Sequence, residues 1–262
     1  FEKALPDLSK AIELGETTAE IFFVRGATHF QLGSYQQARA DLDKAITGGY
    51  AEAVAFDMRG FTKMESKELD DAIADFSVAI EKDAKFSKAF FHRGDAKFRS
   101  NNIAGAVADY TQAIDLGLKD PILFNNRGKA QFLLDKVNEA ISDFGKAIDL
   151  KEDYAKAYEN RGEAFYKQGK FEQGVKDFRS VEKLTEKPEV SLFQTLATGF
   201  YELKNYTAAL EYFDKTVKGG VKDKTILYKR GICLLEEKEY ELSIKDMDEA
   251  IKAGESGVDV HL

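Results

Sequence analysis

Tryptophan is absent from the 262 residues, cysteine occurs once, and histidine, proline and methionine occur three times each. A single cysteine excludes a disulfide framework within the chain and a multi-cysteine zinc site. The histidines, at 29, 92 and 261, are too scattered to supply metal-ligand spacing, so no metal is expected. So little proline disfavours a turn-rich all-β chain and favours long helices. The longest apolar run, Ile21 to Val24, falls far short of the roughly 18 residues a membrane span needs, so membrane insertion is not expected. Basic residues are outnumbered, 38 against 46 acidic ones, and the net charge of −8 argues against a phosphate-binding surface and against nucleic acid as a partner. No Ser/His/Asp or Cys/His set can be assembled and no glycine-rich phosphate loop is present, so neither catalysis nor a cofactor is expected. With 44% apolar residues the chain nevertheless has enough to bury a core.

What is present is a period. Arg-Gly recurs at 25–26, 59–60, 93–94, 127–128 and 161–162, a spacing of 34 each time. Twelve residues after each glycine come Ala38, Ala72, Ala106, Ala140 and Gly174; sixteen after come Leu42, Phe76, Tyr110, Phe144 and Phe178. A sixth unit starts at Val190 after one extra residue, Glu189, and a seventh at Lys224 repeats Arg230-Gly231. The implied division is half a unit over 1–18, then units 19–52, 53–86, 87–120, 121–154 and 155–188, then 190–223 and 224–257, with a tail over 258–262.

Within a unit the apolar residues follow helical spacing twice. Tyr158, Gly162 and Phe165 form one stripe, the chain breaks near Gly169-Lys170, and Phe171, Gly174, Phe178 and Val181 form a second. The small residues mark close backbone approach, Gly26 facing Ala38. Gly15, Gly49, Gly117, Gly220 and Gly254 have the placement of left-handed helix ends, and Asp120-Pro121 that of a helix start. Cys233 occupies a small-residue packing column and is expected to be a buried, inert thiol. His29 falls in a packing column too, where a satisfied core imidazole is expected.

Those columns resemble the tetratricopeptide repeat, over nearly the whole chain. The resemblance implies an all-α, right-handed superhelical solenoid of antiparallel helix–turn–helix hairpins whose first helices line an inner surface that binds proteins. The departures are the missing tryptophan, the absent proline at the end of the second helix, and Arg in place of Leu before the glycine. That Arg is matched sixteen residues later by Asp: Arg25/Asp41, Arg59/Asp75, Arg93/Asp109, Arg127/Asp143, Arg161/Asp177 and Arg230/Asp246. Unit six lacks both partners, having Leu196 and Tyr212, which points to an ion pair inside each hairpin.

Helical geometry assigns the inner face to a set of columns opposite the packing columns. Toward the N-terminal side these carry Phe23, Met58, Phe61, Met64, Phe91, His92 and Phe98; farther on they carry Asn125, Asn126, Lys129 and Asn160. The expectation is a protein or peptide partner in a concave groove, gripped by apolar side chains, with Asn126 and Asn160 hydrogen-bonding its backbone. The competing reading is that the rings pack among themselves. The family's carboxylate clamp for the chaperones Hsp70 and Hsp90 is rejected, because Asp95 stands where a carboxylate would have to approach.

Residues 170–200 break the pattern, with Gly174 and Val181 replacing alanines and an extra residue beside Pro188. Altered pitch or a hinge is one reading, drift the other. The chain opens in mid-helix and ends without a polar capping helix, so it reads as a piece of something longer. The compartment is left open, with the cytoplasm as default. The functional expectation is a non-catalytic interaction scaffold; the alternatives are the recruiting arm of a larger enzyme and a self-assembling subunit of a multiprotein complex.

Overall fold

The computed structural model describes residues 3–221 and 223–254; the opening residues and the tail 258–262 lie outside the described residues. Among the described residues there are fifteen α-helices and no strand. They fall into two compact units, residues 1–136 and 137–262. The first contains α1 (Ala4–Glu13), α2 (Ala19–Gln31), α3 (Tyr35–Thr47), α4 (Ala53–Glu65), α5 (Leu69–Lys82), α6 (Ser87–Arg99), α7 (Ile103–Asp115) and α8 (Pro121–Leu133). The second contains α9 (Val137–Leu150), α10 (Ala155–Lys167), α11 (Phe171–Leu184), α12 (Val190–Glu202), α13 (Tyr206–Lys218), α14 (Lys224–Glu236) and α15 (Tyr240–Lys252). Each unit is a stack of hairpins: α2 packs on α3, α4 on α5 and α6 on α7 in the first, and α10 on α11, α12 on α13 and α14 on α15 in the second.

Two kinds of helix end produce this repetition. The turn inside a hairpin passes through one residue of positive φ, glycine at Gly33 and Gly169 but Lys67, Asn101, Lys204 and Lys238 elsewhere. A side chain there costs on the order of 1 kcal/mol. The cost is offset by the closing hydrogen bond of a Schellman turn, such as Glu68 N–H to the Lys63 carbonyl at 3.0 Å or Asn102 N–H to that of Lys97 at 2.8 Å. The second helices end differently. Those followed by Gly49, Gly117, Gly220 or Gly254, all at positive φ, are thirteen residues long, while α5, α9 and α11, which lack that glycine, run to fourteen. At the start of α8, Asp120 accepts from Ile122 N–H at 2.7 Å, with Pro121 at the first helical position.

Small residues set how closely the helices approach. A Cβ on Gly94 would lie 2.7 Å from the Tyr110 ring, and one on Gly60 2.8 Å from that of Phe76, so each glycine is the floor on which an aromatic of the partner helix rests. Cys233 is fully buried, and burial pushes its thiol up to about 12, which keeps it protonated and inert. His29 differs from expectation: its Nδ1 is enclosed and has no hydrogen-bond partner.

The arginine column does more than the sequence pattern suggests. Arg25, Arg59, Arg93, Arg161 and Arg230 each grip the Asp sixteen residues ahead through Nε and Nη2, with distances of 2.5–2.8 Å. The third nitrogen reaches sixteen residues back to the preceding second helix: Ser9, Asp43, Ser77, Thr111 and Asp214 receive Nη1 of Arg25, Arg59, Arg93, Arg127 and Arg230. The guanidinium also lies over the aromatic three residues earlier, Arg93 over Phe90 and Arg161 over Tyr158. One side chain thus ties its hairpin together and fastens it to the hairpin before. Unit six has no such pair: Leu196 is fully buried, and Tyr212, nearly so, donates from Oη to Glu182 of α11 at 2.7 Å.

Candidate partner-binding face

In the first unit α2, α4, α6 and α8 lie side by side, each touching the next. The predicted apolar residues of this face meet one another and their second helices. Phe61 sits edge-on to Phe30 and to His92, at 5.3 Å each. His92 in turn lies 5.8 Å from Phe91, whose ring approaches Tyr110 at 6.1 Å. Phe23 stacks on Tyr50 at 4.2 Å, and Met58 packs against the core that Leu42 and Ala55 form. These side chains are half-buried, so they present ring edges rather than whole faces to solvent.

Three predicted contacts are corrected by burial. Met64 is 1% exposed, enclosed by Ala72, Phe76 and Ala96, because its column turns into the gap between hairpins. Asn125 and Asn160 are 5% and 8% exposed, and a side chain so enclosed has little left to offer a partner. Asn160 lies in the second unit, the other predicted residues in the first. Asn126 is engaged inside the chain, donating from Nδ2 to Asp95 Oδ1 at 3.0 Å. Lys129 is exposed, its ammonium 5.5 Å from the centre of the Phe98 ring.

Two carboxylates of this face were not among the predicted contacts. Asp57, only 5% exposed, lies 2.8 Å from Nδ1 of His92; a carboxylate only accepts, so that nitrogen carries the proton and the ring is held in place. Asp95 stands in α6 at the mouth of a cavity of about 240 Å³ lined by Phe98, Arg99, Tyr110, Asn126 and Lys129. Its Oδ1 accepts from Tyr110 Oη at 2.7 Å as well as from Asn126, and its Oδ2 has no hydrogen-bond partner among the described residues. Burial raises the Asp95 carboxyl above its ordinary 3.8, against the opposing pull of the hydrogen bonds from Tyr110 and Asn126 and of the charges of His92 and Arg99. The only sequence signal for either residue is an acidic side chain on an otherwise apolar face.

A raised carboxyl favours the folded state when neutral, and that contribution is lost as pH rises through its folded value. Asp95→Asn, which cannot ionise, is therefore expected to match the parent in stability below the ordinary carboxyl value of 3.8, and to exceed it by a margin that grows as pH rises from there through the raised folded value and then levels off. Urea unfolding of both proteins across that range measures the difference. A gap that does not change with pH would contradict the assignment.

Among the described residues no group of three His, Cys, Asp or Glu could hold a metal ion, and no helix is long and apolar enough to cross a membrane. No curated protein sequence matches the chain. Three family profiles do match: a tetratricopeptide repeat over residues 19–47, a TPR repeat over 132–169 and a tetratricopeptide repeat over 195–258. Among solved structures, YrrB, described as a TPR protein with an unusual peptide-binding site, is similar with a TM-score of 0.61 and 18% identity, over 79% of this chain and 97% of that one. A tetratricopeptide repeat protein from Parabacteroides merdae also gives a TM-score of 0.61, at 15% identity over 92% and 95% of the two chains. The Cut9-Hcn1 hetero-tetramer of the APC/C gives 0.56 at 15% identity, over 98% of this chain and 51% of that one. The repeated hairpins, the matching profiles and these likenesses agree: the chain belongs to the tetratricopeptide-repeat family, whose repeats are protein–protein interaction modules.

Proposed function

We propose that this chain is a non-catalytic scaffold, and that the face made by α2, α4, α6 and α8 holds an extended or helical segment of a partner polypeptide. The observation that carries the reading is Asp95: a half-buried carboxylate that lines a cavity of this face, with one oxygen already accepting from two donors and the other left open for a third. That second oxygen is not enclosed, so an N–H from a partner can reach it. Around it the ring edges of Phe61, Phe91 and Phe98, with Phe23 and Met58, offer apolar contact, and Lys129 stands at the rim as a second polar contact. The peptide-binding site named in the description of YrrB is that protein's own; it gives precedent for such a stack of hairpins holding a peptide.

The test is capture of the native partner by the purified chain and by two variants. Phe91→Glu puts a charge among the ring edges, and Lys129→Glu reverses an exposed charge that holds no part of the core. Both are expected to weaken capture at least about ten-fold, the cost of losing one well-placed contact. Circular dichroism establishes that each variant is folded. Unchanged capture by a folded Phe91→Glu protein would discard this face as the binding surface.

A further inference from the structure

The break in the repeat leaves a recess of its own, wholly inside the second unit. A cavity of about 390 Å³ opens between α10, α11 and α12, floored by Phe178, Val181 and Leu192. Phe178 and Val181 are 2% and 8% exposed, so the floor is core. The reason for the gap lies in the connecting loop. Three other loops between hairpins supply a large apolar side chain two residues before the N-cap of the next helix. Tyr50 stacks on Phe23 at 4.2 Å, Leu118 packs against the cluster around Tyr110, and Val221 packs against the cluster around Phe213. Phe86 and Tyr154 take the N-cap positions of α6 and α10. Between α11 and α12 the chain instead runs Thr185, Glu186, Lys187, Pro188, Glu189, with Glu189 at the N-cap and Lys187 two residues before it, so the apolar plug of those three joints is missing.

The rim is acidic. Glu159 and Glu163 stand one turn apart on α10 and Glu189 is the N-cap of α12, with Lys187 the cation among the lining residues; Glu163 is also engaged within the chain. Glu159 is partly balanced by Lys156, 2.9 Å away in an exposed pair that water and salt weaken. A volume of this order falls in the range of about 300–1,000 Å³ usual for sites that hold a ligand.

We propose that this recess is a docking site for a partner segment carrying a large apolar side chain flanked by lysine or arginine. The apolar group takes the place of the missing plug between Phe178, Val181 and Leu192, and the flanking cations meet Glu159, Glu163 and Glu189. The site is separate from the face of the first unit and does not depend on it.

The probe is a fluorescein-labelled pentapeptide with leucine at the centre of four lysines, titrated with the whole chain and read by fluorescence anisotropy. Against the same peptide with central alanine, leucine is expected to bind at least about ten-fold more tightly, the worth of burying the larger side chain. Pro188→Phe, in a loop outside every helix, restores the plug and is expected to abolish that preference. Glu163→Lys, on an exposed position, is expected to weaken both peptides, and Phe91→Glu in the first unit to change neither. Equal affinity for the leucine and alanine peptides would overturn the proposal, as attraction of lysines by a chain of net charge −8 and nothing more. Leucine-dependent binding that survives Pro188→Phe would also overturn it. So would self-association that Pro188→Phe abolishes in a chain that ignores the peptide, since the occupant would then be a second copy.

Discussion

Replacing Arg161 by leucine is expected to lower the free energy of unfolding by about 3–5 kcal/mol at neutral pH, the range for removing one partner of a buried ion pair. The asymmetry of the pair decides the size. The Asp177 side chain is 4% exposed and that of Arg161 24%, so loss of the arginine strands a carboxylate that water cannot reach. Asp177→Leu leaves a guanidinium that still lies over Tyr158 and still touches solvent, and is expected to cost about half as much. Arg93→Leu is expected to be milder than Arg161→Leu, because Lys97 also reaches Asp109, at 2.8 Å. The double replacement Arg161→Leu/Asp177→Leu should recover much of the loss, as an apolar pair of similar volume often does in place of a buried ion pair. The chain already contains the natural version of that double replacement in Leu196 and Tyr212. Urea unfolding of the two single variants and the double variant closes the cycle, and losses that simply add would show that the two side chains do not act together.

The regular parts of this molecule were legible because one local rule is repeated. The 34-residue phase located the helices, the Arg and Asp columns located the ion pairs, and glycine marked the ends of α3, α7, α13 and α15. The backward link from each arginine was legible in the same way, since Ser9, Asp43, Ser77, Thr111 and Asp214 keep the phase, but a column of mixed polar residues is quieter than a column of one residue. Left-handed turns at Lys67, Lys204 and Lys238 could not be read from residue type, because nothing about lysine announces a positive φ.

The candidate face was legible in direction and not in depth. Helical phase says which way a side chain leaves its helix, and Phe61 and Lys129 do meet rings of neighbouring first helices. How far a neighbour covers that side chain depends on a helix one repeat away. Met64 and Asn125 share the phase of the face yet lie under 6% exposed. Asn126 is engaged by an Asp 31 residues earlier, a partnership that no count within one unit could reveal. The acidic residues matter for the same reason. Asp57 holding His92 and Asp95 receiving Tyr110 and Asn126 make the face polar at fixed points, which under the proposed function are the points a partner would match.

Gly199→Ala is expected to destabilise the second unit by about 2–3 kcal/mol, although helix propensity alone would favour alanine by about 1 kcal/mol. The reason is Tyr166. A Cβ on Gly199 would run into the Tyr166 hydroxyl and into Val175, and one on Gly174 would run into the Tyr166 ring. The ring has nowhere to retreat: Phe171 and Phe178 meet it edge-on at 5.2 and 5.0 Å, and its hydroxyl donates to the Thr195 carbonyl at 3.1 Å. Gly174, which looks like erosion of the pattern, and Gly199 are therefore the slot for one aromatic side chain, which packs the Tyr166 end of this joint. Gly174→Ala should behave as Gly199→Ala does. The decisive measurement repeats both substitutions in a Tyr166→Ala background, itself destabilised by about 3–5 kcal/mol for loss of a buried aromatic. With the ring gone, each glycine-to-alanine change is expected to reverse sign and stabilise, by up to about 1 kcal/mol. If Gly199→Ala raises the unfolding midpoint of the parent protein, the slot does not constrain the helices and the irregularity is drift after all.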